Sequence, residues 1–183
     1  MEDIYRCVLE GLCNANDMNS NQSALHCYLQ SLKLYVIQLR QSYRKSLVEV
    51  DYTASRIQAA YLLTYYPQYA EMTLNILNTL EALPFSQQSI HACFFGSGPA
   101  PEAVAWVTYL KNKFPGVEYA EAHTYDISAE AWSFSRDITK QYVAPPCWSG
   151  QLVVNAEDVN LCLQDSIRQI TSIKTLISGS KLL

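Results

Sequence analysis

No run in this chain approaches the about 20 consecutive apolar residues needed to cross a bilayer, and the N-terminus, Met-Glu-Asp-Ile-Tyr-Arg-Cys, lacks the apolar centre of a secretion signal. No membrane association is expected, and the chain reads as intracellular and cytoplasmic. Close-paired cysteines are also missing. Cys7, Cys13, Cys27, Cys93, Cys147 and Cys162 are scattered with no C-x-x-C, which argues for free thiols rather than a disulfide framework or a cysteine zinc site. The three histidines, His26, His91 and His123, stand at no metal-ligand spacing and read as packed or surface residues, so no metal is expected. Charged residues make up only 16% of the chain with a net charge of −4, which argues against broad electrostatic nucleic-acid binding.

What is present is apolar side chain: 49% of 183 residues, enough for one ordinary core and too much for a disordered chain. The organising stretch is Ser89 to Pro101, S-I-H-A-C-F-F-G-S-G-P-A-P. Its first part is apolar and too short for a helix, and Gly96-Ser97-Gly98 then breaks it, so a buried strand entering a glycine turn is expected. Glu102 to Lys113 follows with apolar residues at helical spacing, an acid at its start and lysines at its end. Glycines admit a close ligand, and a helix N-terminus offers unpaired N–H groups, so a nucleotide-like ligand suits this unit. The next apolar segment, Val117 to Tyr125, ends at Asp126, placed to accept hydrogen bonds from ribose hydroxyls.

Before this unit the pattern is helical. Glu2 to Leu12 carries a helical rhythm that stops at the polar run Asn14 to Gln22. From Ser23 to about Val50, Leu25, Leu29, Leu32, Val36, Leu39, Tyr43 and Leu47 predict one long amphipathic helix. Its stripe reads as core packing, with a partner-binding face as the alternative. Arg40, Arg44 and Lys45 near its end read as a solvated face, with an RNA-phosphate patch as the minority reading. Asp51 or Thr53 can cap a third helix running to Tyr66, where Pro67 disrupts or restarts it, and helical pattern continues to Leu83. Tyr61, Tyr65, Tyr66 and Tyr69 crowd this segment.

Beyond Asp126, Ala129 to Tyr142 reads as a second crossover helix and Ala144 to Gly150 as a rigid loop. Gln151 to Ala156 reads as a third strand ending in Glu157-Asp158. Val159 to Ser178 has a helical pattern, and Lys181-Leu182-Leu183 looks like the opening of a fourth strand. Strands near His91 to Phe95, Glu118 to Tyr125 and Leu152 to Asn155 are thus expected in one parallel sheet. Three strands are few for such a sheet, so the chain looks truncated, with an open edge that invites self-association.

G-S-G-P, followed one strand later by D-I-S, resembles the first motif and the acidic post-motif of class I S-adenosylmethionine-dependent methyltransferases. The run Ala60-Tyr61 through Tyr66-Pro67-Gln68-Tyr69-Ala70, then Leu74 to Leu83, then F-F-G-S-G-P with Ala105-Trp106, looks most like the methyltransferase family associated with the mitochondrial ribosome small subunit. Two positions depart from the superfamily pattern: Phe94 stands where an acid is usual, and Ala100 replaces the third glycine. The resemblance implies an α/β fold, with a helical N-terminal region over residues 1–84 and a partial Rossmann-like methyltransferase domain over 85–183. It implies S-adenosylmethionine as cofactor, with Gly96, Ser97 and Gly98 near its methionine and ribose, Asp126 on the ribose, and Glu157 or Asp158 near adenine. Tyr69 or Arg56 could reach that pocket, though packing suits each better. An RNA or ribosome-linked acceptor is the partner it suggests, and catalysis is not expected of so short a chain.

Two other functions compete. A nicotinamide-dinucleotide enzyme fares badly, because the third glycine of G-x-G-x-x-G would fall on Pro101, which cannot give glycine's close helix-to-strand packing. A non-catalytic helical interaction protein with a degenerate nucleotide-binding turn is the stronger competitor, and an ordinary α/β protein in which G-S-G is only a tight turn is a further reading.

Overall fold

The computed structural model describes residues 2–18, 21–45, 48–80, 88–163 and 170. Helix α1, Glu2–Ala15, buries Cys7, Val8 and Leu12, one face of its 3.6-residue period. The single helix expected from Ser23 to about Val50 is instead two: α2, Gln22–Ser31, and α3, Lys33–Ser42. Asn21 caps α2 by accepting from the Ala24 N–H at 2.9 Å. At buried Leu32 one N–H is shared between the Tyr28 and Leu29 carbonyls, which tightens the turn and separates the helices. Beyond α3, the Ser42 hydroxyl both donates to the Glu49 carbonyl and accepts from its N–H, closing a loop where the helix was expected to continue.

The expected cap of the next helix is also corrected. Asp51 accepts from the Thr53 N–H and hydroxyl in a local turn, and α4, Ser55–Thr64, starts from Ala54 with no side-chain cap. Pro67 lies in the first turn of α5, Tyr66–Thr79, where its missing N–H costs no helical bond, so it restarts the helix. Leu80 is extended, so α5 stops at Thr79, short of the expected Leu83, and residues 81–83 lie outside the described residues.

The three strands are β1, Ser89–Phe95, β2, Tyr119–Asp126, and β3, Gln151–Asp158. They form one parallel sheet in the order β1-β2-β3, with Ser89 beside Tyr119 and Tyr119 beside Gln151. The architecture is α/β with a small parallel sheet. Helix α6, Pro101–Lys113, crosses from β1 to β2 and buries Ala103, Trp106, Val107 and Leu110 against Ile90, Ala120 and Ala122 of the sheet.

The second crossover is broken rather than one helix over Ala129 to Tyr142. It runs as a 3₁₀ turn, Glu130–Trp132, then α7, Ser133–Ile138, a π turn, Thr139–Val143, and α8, Ala144–Cys147, where a loop was expected. Packing explains the break. The π turn lies on α1, where Gly11 admits Ile138 and Tyr142 so closely that a Cβ would stand 2.7 Å from Ile138 Cγ2. Of the helix expected from Val159 to Ser178, residues 159–163 form no helix, and the rest, like the fourth strand, lies outside the described residues apart from buried Ile170, which packs with Tyr125 and Val159.

The helical and sheet halves share a core. Val8, Leu39, Ile57 and Tyr66 from the first pack with Val104, Trp132, Ile138 and Val143 from the second. Gln58 fastens them: its amide donates to the Tyr52 and Ala131 carbonyls and accepts from the Ser135 N–H and hydroxyl, so a 2% exposed polar side chain is fully satisfied. Among the described residues no helix is long and apolar enough to cross a membrane.

Candidate functional site

The carboxyl ends of β1 and β2 bring the sequence-expected residues together. Gly96 and Gly98 take φ of +68° and +41°, the left-handed region that glycine adopts at little cost, and the Gly96 N–H donates to the Tyr125 carbonyl at 2.6 Å. The chain therefore leaves β1, bends over the end of β2 and enters α6. Asp126 lies beneath this bend. Its Oδ2 accepts from the Gly98 N–H at 3.2 Å and its Oδ1 from the Ser128 N–H at 2.9 Å. A carboxylate has about four acceptor positions, so two remain for a ligand.

Ser97 is buried, and its hydroxyl donates to Glu102 Oε2 at 2.5 Å, tying the turn to the first turn of α6. Burial pushes the Glu102 carboxyl above the ordinary glutamate range, a shift the Ser97 hydrogen bond opposes. Ala100 is itself left-handed, with φ of +64° and no exposure. Alanine there is costlier than its small side chain suggests: a Cβ in this conformation is strained. Thr139 of the π turn donates to the Pro99 carbonyl at 2.8 Å and shares a 3.0 Å hydrogen bond with the Tyr66 hydroxyl, bracing the turn from behind.

Two features were not visible in the sequence motif. Phe94 points into the core and meets Trp106 edge-on with centroids 5.8 Å apart. And the close approach that Gly98 permits is made by the protein's own Trp132: a Cβ on Gly98 would lie 2.8 Å from the indole Cε2. Trp132 is held by Tyr52 at 4.2 Å and Tyr61 at 4.9 Å between ring centroids. Burial raises the pKa of both phenols, with the nearby Asp126 charge adding to it, so they remain neutral hydroxyls at neutral pH.

The other candidate residues are dispersed. Asp158, at the end of β3, accepts from the Glu130 N–H at 3.1 Å and lines an open pocket of ≈ 530 Å³ with Thr53, Ile127, Ser128 and Phe134. Glu157 is exposed on the other face of the strand. Tyr69 stacks on Tyr61 at 6.4 Å, while Arg56 turns away to donate to Ser31 at 2.9 Å. Arg40, Arg44 and Lys45 are exposed, and Lys45 pairs with Glu49.

His91 and His123, which stand at no metal-ligand spacing in the sequence, are brought together by strand pairing. His91 and Glu121 are cross-strand partners, and His123 lies two residues beyond Glu121 on the same face, so His91 and His123 stack with centroids 6.2 Å apart around the carboxylate. Comparison of the chain with family models, curated proteins and solved structures finds no match.

Proposed function

We propose that the chain is a methyltransferase-like protein that binds S-adenosylmethionine at the glycine turn. The observation that carries this reading is the Gly98–Asp126 hydrogen bond, which joins the turn after β1 to the acid ending β2. A glycine turn after the first strand and an acid that meets the ribose are the two groups that nucleotide-binding α/β units set around their ligand. In this reading Gly96, Ser97 and Gly98 line the methionine and ribose, and Asp126 accepts ribose hydroxyls on its remaining lone pairs. Asp158 borders the adenine in the pocket of ≈ 530 Å³, a volume within the range of small-molecule sites. The residues fit in part: Trp132 must swing off Gly98 for a ligand to reach the turn, and Phe94 offers nothing to the methionine ammonium.

When bound, the cofactor supplies an electrophilic methyl carbon on a sulfonium, and the protein's contribution is position and field. Titration calorimetry with S-adenosylmethionine and its demethylated product tests this, with NADH as the control. Saturable binding of the first two and none of NADH is the expected result.

A second reading, a non-catalytic interaction protein, is favoured by one observation: Trp132 already fills the space over Gly98 as a core residue, 4% exposed. Folded protein that binds neither form of the cofactor would establish it over the first.

A further inference from the structure

We propose that His91, Glu121 and His123 form a binding site for a divalent transition-metal ion of the zinc class, on the sheet face opposite α6. The site is independent of the cofactor reading. It arises from strand geometry: parallel register sets His91 of β1 beside Glu121 of β2, and the two-residue period returns His123 to the same face.

The donor atoms converge. His91 Nδ1 lies 3.1 Å from Glu121 Oε2, His123 Nε2 lies 3.4 Å from Glu121 Oε1, and one ligand atom from each residue falls within 4.8 Å of the others. Ligands about 2.1 Å from a tetrahedral ion stand about 3.4 Å apart. The two His–Glu contacts run to different carboxylate oxygens, so rotation of the imidazoles must bring both nitrogens to that spacing from a single oxygen, a shift the 4.8 Å limit on the donor separations keeps small. Two imidazoles with one carboxylate suit zinc, cobalt, nickel or copper and not magnesium or calcium, which take oxygen donors.

The supporting partner is present as well. Asn155 of β3, in register with His123, donates its amide to Glu121 Oε1 at 2.5 Å and so orients the carboxylate. Side-chain exposure of 40% for His91, against 14% for His123 and 20% for Glu121, gives solvent a path to a site otherwise held in place. Three protein ligands leave a fourth position for water or a ligand group.

The test is titration of the full metal-free chain with Co²⁺, followed by visible absorption, and then competition by Zn²⁺. The expected result is one equivalent of tetrahedral cobalt without a sulfur-to-cobalt charge-transfer band, displaced by zinc. His91→Ala and Glu121→Gln should weaken binding by more than the about 10- to 100-fold lost with a supporting partner, Asn155→Ala by about that amount, and His26→Ala not at all. Because His91 is a surface residue, its variant keeps the fold, and circular dichroism verifies this. Absence of cobalt binding to the wild type, a sulfur charge-transfer band, or unchanged affinity in folded His91→Ala each overturns the proposal.

Discussion

The Gly98 backbone N–H donates to the Asp126 carboxylate at 3.2 Å across 28 residues of sequence, so the bend after β1 is pinned by the acid that ends β2. Asp126 therefore has a structural task in addition to the ribose contact proposed for it. Asp126→Asn keeps one oxygen for the Ser128 N–H and loses the charge. We expect a cooperative fold with S-adenosylmethionine affinity lower by about 1.5 to 3 kcal/mol, the range for hydrogen bonds to a charged group, as measured by calorimetry. Unchanged affinity would remove Asp126 from the site.

The two glycines of the turn should differ in their tolerance of a methyl group. Gly96 has φ of +68° and open space around it, so Gly96→Ala meets only backbone strain of about 1 kcal/mol. Gly98→Ala adds a contact of 2.8 Å with a buried indole, an overpacking penalty of about 1 to 3 kcal/mol. Urea unfolding midpoints rank the two, and equal losses would show that Trp132 yields freely.

Gln58 is satisfied through four hydrogen bonds to three segments. Gln58→Leu leaves the Ala131 carbonyl and the Ser135 N–H without their partner, each at about 1 to 3 kcal/mol. A total loss above about 2 kcal/mol in chemical denaturation is expected, and a variant as stable as the wild type would mean that the segments re-pair without it.

Burial raises the Glu102 pKa, so the native state holds a proton that the unfolded chain has released. The sign follows: its contribution to stability is full below the ordinary glutamate value of about 4.3 and is lost as pH rises through the raised native value. Glu102→Gln keeps an acceptor for Ser97 and does not ionise. The stability difference, variant minus wild type, should therefore increase with pH across that window and then level off. A flat difference between pH 4 and 8 would contradict it.

The strands were legible because Ile90 to Phe95, Val117 to Tyr125 and Gln151 to Ala156 are short, apolar and punctuated by glycine or proline. Their parallel pairing follows from the helical spans between them. The break at Leu32 was not legible: neither glycine nor proline marks it, and it depends on a shared backbone bond. The end of α3 was hidden likewise, since it is set by the Ser42–Glu49 closure seven residues apart. The π turn was hidden for a related reason, since the surface that shapes it includes Gly11, far upstream. At the site, the convergence of the glycine turn and Asp126 was foreseeable from chain order, whereas their direct hydrogen bond and the occupation of the turn by Trp132 were not, because an aromatic residue in a crossover segment carries no sign of which neighbour it covers. The His91–Glu121–His123 cluster depends on register between strands, which spacing within one strand does not reveal.

Trp132 also gives the molecule an optical gauge. Its indole lies against the glycine turn with Tyr52 and Tyr61 within 5 Å, while Trp106 and Trp148 belong to the other core, beneath the sheet. Light absorbed by the two tyrosines drains into this one ring, and its emission colour records whether water or protein surrounds it. A ligand that reaches Gly98 displaces that ring, so the difference in emission between the wild type and Trp132→Phe reports the state of the candidate site without a label.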